Sequence, residues 1–227
     1  GNPGNLARLA YAGSGSNLNT MAFDRSDVGT YDRIVAEFDF RMEGGSRADG
    51  LSYALLNTAN FGTTGAGPAI SEEPNLAGSL GVGFDIFNNG EVGDNNHLSL
   101  HFNGARIGNN VDAPFQLWRP NFGGAFHHAT IDLTHVVGGA NVTVTLFNGD
   151  ALTSSTPFNN IFIAGLNPYE SRVAFGARTG GANANHDIDN VNVRFIKNTP
   201  PPSVPEPTSL LLLGTGLAGL MAWSRRK

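Results

Sequence analysis

The feature that most limits what this chain can become is a two-residue alternation of apolar and polar side chains. Between Val35 and Met42, the residues Ala36, Phe38, Phe40 and Met42 fall on one side, and Glu37, Asp39 and Arg41 on the other. A β-strand sends successive side chains to opposite faces, so this pattern predicts a half-buried strand. The same period runs through Ala129–Leu133 and Asn141–Gly149, with Gly138-Gly139 between them as a hairpin turn. Apolar runs at Leu51–Leu56, Leu80–Phe87, His97–Phe102, Arg172–Ala177 and Val191–Ile196 supply further short strands, separated by Gly and Asn clusters. No window of a dozen residues before position 208 keeps a 3.6-residue apolar period. The expectation is an all-β chain, a sandwich or jelly roll of antiparallel sheets.

Composition narrows the function classes. The chain has 227 residues and a net charge of −5, and no basic stripe appears, so nucleic acid is not an expected partner. Cysteine is absent, which excludes disulfides, thiolate metal sites and cysteine nucleophiles. The length suits one sandwich plus a tail. Gly1 at the first position fits either a processed or a truncated end.

The tail is set apart by prolines. Asn198–Pro207 holds five prolines in ten residues, which predicts an extended spacer. Leu210–Trp223 is then an apolar run of 14 residues, followed by Ser224, Arg225, Arg226 and Lys227. As a helix it would reach roughly 21 Å, short of a hydrocarbon core about 30 Å thick. Trp223 would sit at the interface and the terminal cations would stay in the cytoplasm. A buried core helix is the competing reading. The block Val204–Lys227, with Pro205-Glu206-Pro207, the apolar run and the basic end in order, resembles a bacterial PEP-CTERM sorting signal. That resemblance implies export in a Gram-negative, exopolysaccharide-producing cell and an inner-membrane-anchored intermediate. It also implies removal of the tail by a sorting protease, and a cell-surface or matrix destination. The expected organisation is a sandwich over 1–197, a linker over 198–203 and a sorting segment with a short hydrophobic helix over 204–227.

The stretch Gly83–His97, "GFDIFNNGEVGDNNH", carries the most chemistry. It leaves an apolar strand and enters a polar, glycine-rich loop in which Asp85, Asn89 and Asp94 offer oxygen ligands. Calcium takes six to eight hard oxygens from carboxylates, amides and carbonyls. Taken alone the residues are equally those of ordinary turns, whose Asp and Asn bond their own backbone.

The segment "DIFNNGEVGDNNHLSL" resembles the metal loop of the legume-type (L-type, concanavalin A-like) lectins. Two further segments resemble that family in its order. "ADGLSYALL" (Ala48–Leu56) is similar to the segment in which an Ala-Asp cis peptide precedes Gly, and "FGARTGGANANHDIDNVNV" (Phe175–Val193) to the closing segment of the animal cargo lectins. The resemblance implies a concanavalin A-like sandwich that binds carbohydrate with calcium. It implies that Asp85, the Phe87 carbonyl, Asn89 and Asp94 hold the ion. It implies sugar contacts from Asp49, Gly50, Asn89, Gly180, Gly181 and Ala182. The plant members' second, transition-metal site uses a Glu where this chain has Gly83, so no complete second site is expected, and His97 is read as a plain strand-start residue. Partners implied are a glycoprotein or exopolysaccharide glycan, with a homodimer paired through sheet edges left open.

Other candidates carry less. Phe115, Trp118 and Phe122 could stack on a sugar face, with core packing expected for at least two of them. His127 and His128 are adjacent on a strand, so they face opposite sides and make a poor metal pair. His186-Asp187 is a site flank or a capping pair. A glycoside hydrolase would need paired carboxylates across a cleft. No Glu-x-Asp-x-x-Glu series occurs, because Met42 stands where the closing Glu would be, and Glu72-Glu73 read as part of a surface segment. No nucleophile-elbow pattern is present either. The expectation is therefore a binding protein and no enzyme, with a structural matrix protein carrying a vestigial sugar site as the alternative.

Overall fold

The computed structural model describes residues 6–90 and 95–197. The strands, in chain order, are β1 (Ala7–Ala10), β2 (Leu18–Ala22), β3 (Arg33–Glu43), β4 (Gly50–Asn57), β5 (Leu80–Asp85), β6 (His97–Phe102), β7 (Ala105–Arg106), β8 (Val111–Asp112), β9 (Trp118–Arg119), β10 (His127–Val136), β11 (Gly139–Asn148), β12 (Thr153–Ala164), β13 (Ser171–Arg178) and β14 (Asn185–Ile196). The one helix among the described residues is the single turn α1 (Thr58–Phe61), capped by the Asn57 side chain. Among these residues no helix is long and apolar enough to cross a membrane. The expected tail helix lies outside the described residues.

The strands form two seven-stranded sheets. The first runs β1-β14-β3-β10-β11-β12, with β9 added in parallel beside β3. The second runs β2-β13-β4-β5-β6-β7, with β8 beside β6. Every other pairing is antiparallel, which is the expected sandwich. From Ala36 to Met42 the alternation holds residue by residue. Ala36, Phe38, Phe40 and Met42 are buried, while Glu37, Asp39 and Arg41 keep partial access to solvent. The core is an aromatic cluster bridging the sheets: Phe38 stacks on Tyr53 at 5.8 Å and meets Phe175 edge-on at 4.9 Å, and Phe40 lies 5.0 Å from Phe84.

The second sheet departs from the simple half-buried pattern: β4, β5 and β13 are buried on both faces. Leu80, Val82 and Phe84 of β5 face the core. Gly81 and Gly83, on the opposite face, lie under the segment that follows α1. A Cβ at Gly83 would stand 2.3 Å from the Glu72 carbonyl oxygen, one at Gly81 2.5 Å from Pro74, and one at Gly176 of β13 2.3 Å from the Ile70 carbonyl oxygen. Three glycines on one face thus form a bed for residues 70–74. Ile70 and Leu76 pack there with Ala54, Leu56 and Ala174 as a second apolar cluster. Arg172, fully buried, holds the stretch leading into that segment by donating to the carbonyls of Phe61, Gly65 and Ala66.

Candidate functional site

One row of residues crosses the outer face of the second sheet at its end. The register sets Arg178 of β13 beside Gly50 of β4, Gly50 beside Asp85 of β5, and Asp85 beside His97 of β6. Residues opposite one another across paired strands share a face. Gly50 is the gap in this row: a Cβ there would stand 2.9 Å from the Glu72 Cβ. Glu72 fills the gap and its Oε1 lies 3.2 Å from Arg178 Nη2. The next residue, Glu73, joins Asp85 and His97 in a group whose ligand atoms all lie within 4.8 Å of one another. The surface placement expected for Glu72-Glu73 is corrected here: Glu72 is 3% exposed and Glu73 is half-buried. The cause is the glycine bed, which lets their segment lie on the sheet. Burial pushes the Glu72 carboxyl up to about 7, with Arg178 pulling the other way.

Asp85 closes β5 fully buried, and its Oδ1 accepts from the Phe87 amide at 2.7 Å. Asn89 Nδ2 lies 3.5 Å from the Phe87 carbonyl oxygen and 3.4 Å from Glu72 Oε1. Asp85, the Phe87 carbonyl and Asn89 are therefore gathered in one short loop. Asp94, the fourth expected ligand, lies outside the described residues. His97 does begin β6 as expected, yet it is buried in contact with this cluster, its Nε2 3.8 Å from Asp85 Oδ2 and 2.9 Å from Asn110 Nδ2.

Beside the loop opens a pocket of about 330 Å³. Its lining includes six residues singled out in the sequence, Asp49, Phe87, Asn89, Gly180, Gly181 and Ala182, brought from three separate segments. Gly50, also expected there, does not line it and serves as the gap for Glu72. The sequence reading missed Ser16, Asn17, Leu18, Arg178 and Thr179, which complete the lining. Ser16–Leu18 carry no motif. Arg178 stood inside the quoted closing segment, two residues before Gly180, but its partner Asp49 is 129 positions away in the chain. The closing loop is tied down on the β1–β2 connection. The Ser16 amide donates to the Gly180 carbonyl at 2.9 Å, and Asn17 Nδ2 donates to Thr179 Oγ1 at 3.0 Å.

The Ala48–Asp49 peptide is trans, since the described residues contain no cis bond, and this corrects the expectation of a cis peptide. Trans is the ordinary state of a non-proline peptide, favoured by about 3 kcal/mol. Asp49 is held by other means. Its amide donates to the Arg178 carbonyl at 2.9 Å and its Oδ2 accepts from Arg178 Nε at 2.6 Å. The Asp49 side chain is 3% exposed, and that of Arg178 37%.

The remaining candidates are structural. His127 turns inward, 4.6 Å from the Phe115 ring, and His128 turns outward to Asp39 at 2.7 Å, the opposite facing expected of neighbours. Phe115 and Trp118 pack against the core, while Phe122 is exposed, covers Gly44 and does not line the pocket. His186 is fully buried and its pKa is lowered to about 4 by burial. Asp187 is buried between Arg8 at 2.7 Å and Arg41 at 2.8 Å.

Two facing sheets in this order, with the loops at one end enclosing a pocket, define a β-sandwich of the legume-lectin, concanavalin A-like type. Solved structures bear this out. The VIP36 exoplasmic/lumenal domain in its Ca2+/Man2-bound form is similar with a TM-score of 0.61 at 17% identity, over 88% of this chain and 80% of that one. Lectin II from Ulex europaeus gives 0.54 at 14% over 84% and 87%, and arcelin-5, a lectin-like defense protein from Phaseolus vulgaris, 0.56 at 14% over 86% and 89%. At these identities the likeness shows the fold. The PEP-CTERM protein-sorting motif matches residues 203–227, which marks the chain for a sorting system. No curated protein matches the chain.

Proposed function

We propose that this protein is an exported, lectin-like carbohydrate-binding protein whose sugar site is the pocket beside Asp49. The observation that carries the reading is the convergence of Asp49, Phe87, Asn89, Gly180, Gly181 and Ala182 on one cavity of about 330 Å³. Asn89 and the backbone of Gly180–Ala182 offer donors and acceptors of the kind that fix hydroxyl groups. The likeness to VIP36, whose described forms include Ca2+/Man3GlcNAc-bound and Ca2+/Man2-bound, supports both a glycan and calcium. The donor set suits that ion: Asp85, the Phe87 carbonyl and Asn89 supply hard oxygens close together, with Asp94 as a further carboxylate. When bound, calcium would neutralise these carboxylates and hold the 85–89 loop against the pocket. Asp49 and Glu72 both flank one guanidinium rather than an open cleft.

The tail supports export through a sorting system. Our reading of the chain is a lectin-like sandwich over 1–197, a linker over 198–203 and a sorting and membrane-anchoring segment over 204–227. A glycan array probed with and without a chelator tests the function. Retention of glycans that is lost on chelation is expected, and no retention in calcium would defeat the carbohydrate reading. One observation favours the vestigial alternative: the Asp49 carboxylate is already engaged by Arg178. Calcium stabilisation without any glycan retention would select it.

A further inference from the structure

The group a ligand meets on the Asp49 side of the pocket is a guanidinium. Asp49 lines the cavity, but its side chain is 3% exposed and lies under Arg178, whose side chain is 37% exposed. Arg178 is fixed from two directions. Nε donates to Asp49 Oδ2 at 2.6 Å, and Nη2 lies 3.2 Å from Glu72 Oε1. Both supports follow from the sheet. Arg178 stands in register with Gly50, and the missing side chain at Gly50 admits Glu72 behind it. An arginine has five N–H donors in a rigid fork. Two carboxylates engage part of that fork, and Nη1 makes no hydrogen bond to the described residues.

We propose that Arg178 contacts the bound sugar directly, donating to its hydroxyl or ring oxygens, and that Asp49 and Glu72 act as positioning residues that hold the guanidinium in place. This rests on the carbohydrate reading of the pocket and changes its chemistry. The sugar is read here by a donor rather than by a bare carboxylate. A hydroxyl at this position is recognised through its oxygen, so replacing it by an O-methyl group is tolerated better than removing it. The guanidinium is matched by two carboxylates and the cluster carries no excess positive charge. The ligand class is therefore a neutral sugar rather than one bearing a carboxylate.

The test titrates the whole chain in calcium with mannose and glucose oligosaccharides and with oligouronates of matching length. It compares the native protein with Arg178→Gln and Arg178→Lys, and the rise in melting temperature caused by calcium is measured for each. The native protein should retain a neutral oligosaccharide. Arg178→Gln should weaken that binding by about tenfold or more, the loss expected for a charge-assisted hydrogen bond. Arg178→Lys should recover part of it, and the calcium response should stay unchanged in both. Unchanged or tighter sugar binding in Arg178→Gln would overturn the proposal and leave the carbohydrate reading standing, with Arg178 then a cover over Asp49. A preference for oligouronates would overturn the neutral-sugar assignment. Failure of the native protein to bind any member of the panel would remove the carbohydrate reading and this inference with it.

Discussion

Replacing Gly83 by alanine tests whether the covering segment builds the site. The new Cβ would stand 2.3 Å from the Glu72 carbonyl oxygen and 2.3 Å from Ser99 Oγ. The serine hydroxyl can rotate away, but the carbonyl belongs to the backbone of the segment that carries Glu72 and Glu73. An ordinary contact begins at 3.4 Å, so the segment must lift by about 3.4 − 2.3 = 1.1 Å. Overpacking of this kind costs about 1–3 kcal/mol. In a domain of this size each kcal/mol lowers the melting temperature by about 2–4 °C, giving a drop of roughly 2–12 °C. Thermal unfolding followed by circular dichroism measures it, with Gly181→Ala as the comparison, because a Cβ there meets nothing within 4 Å. The lift also moves Glu72 off Arg178 and Glu73 off Asp85, so the stabilisation by calcium should shrink in the same variant. A Gly83→Ala protein that melts with the native one would show that residues 70–74 are not pressed on the sheet, and the row built on Gly50 would lose its basis.

Other perturbations probe the core, the titrating groups and the ion. Phe38→Ala removes the ring that joins both sheets and should cost about 3–5 kcal/mol in a denaturant titration; a loss under about 1 kcal/mol would contradict the aromatic bridge. Burial lowers His101, His127 and His186 to about 4 from the ordinary 6.5 of a histidine. The unfolded chain therefore binds more protons at these positions, and their stabilising effect, full above 6.5, is lost as pH falls toward 4. Glu72, raised to about 7, acts in the opposite sense, its contribution full below 4.5 and lost as pH rises through 7. Three groups outweigh one, so melting temperature should rise from pH 4 to 6.5 and then level off; a flat profile would refute the burial of these rings. Asp85→Asn should abolish the calcium-induced rise in melting temperature, which for the native protein is worth about 2.7 kcal/mol at a hundredfold excess over Kd. An undiminished rise would place the ion elsewhere.

The parts of the fold legible in the sequence are those with a complete local signal. The Val35–Met42 alternation and the β10–β11 hairpin needed only a period of two and a turn residue, and Gly138 does turn there with φ 82°. β12 was missed because Pro157 interrupts its pattern and two register shifts break its pairing with β11, features an edge strand tolerates. β2 was missed because its residues lie at an exposed edge with no apolar run to mark them. Glu72 and Glu73 were misplaced for a different reason. Two adjacent acids after a glycine-rich stretch resemble a solvated loop, and only the alternating Gly81 and Gly83 hinted that something must lie on that face. Asp49 and Asn89, marked by their motifs, do line the pocket, but Arg178 meets Asp49 through a cross-strand pairing that no local spacing encodes.

The same geometry ties the proposed ion site to the proposed sugar site without requiring a moving part. Asn89 belongs to the ion loop, lines the pocket and approaches Glu72, and Glu72 approaches Arg178. Glu73, next in the chain, faces Asp85. A two-residue segment thus touches both halves, one carboxylate to each. Order imposed on Asp85 and Asn89 would reach Arg178 through the Glu72 carboxylate, carried on a segment that the glycine bed holds flat. Linkage then works in both directions: if calcium strengthens sugar binding, sugar must strengthen calcium binding by the same factor. The coupling should be lost in Glu72→Ala even where each site survives alone, because that side chain is the described link between the loop that would hold the ion and the arginine that faces the ligand.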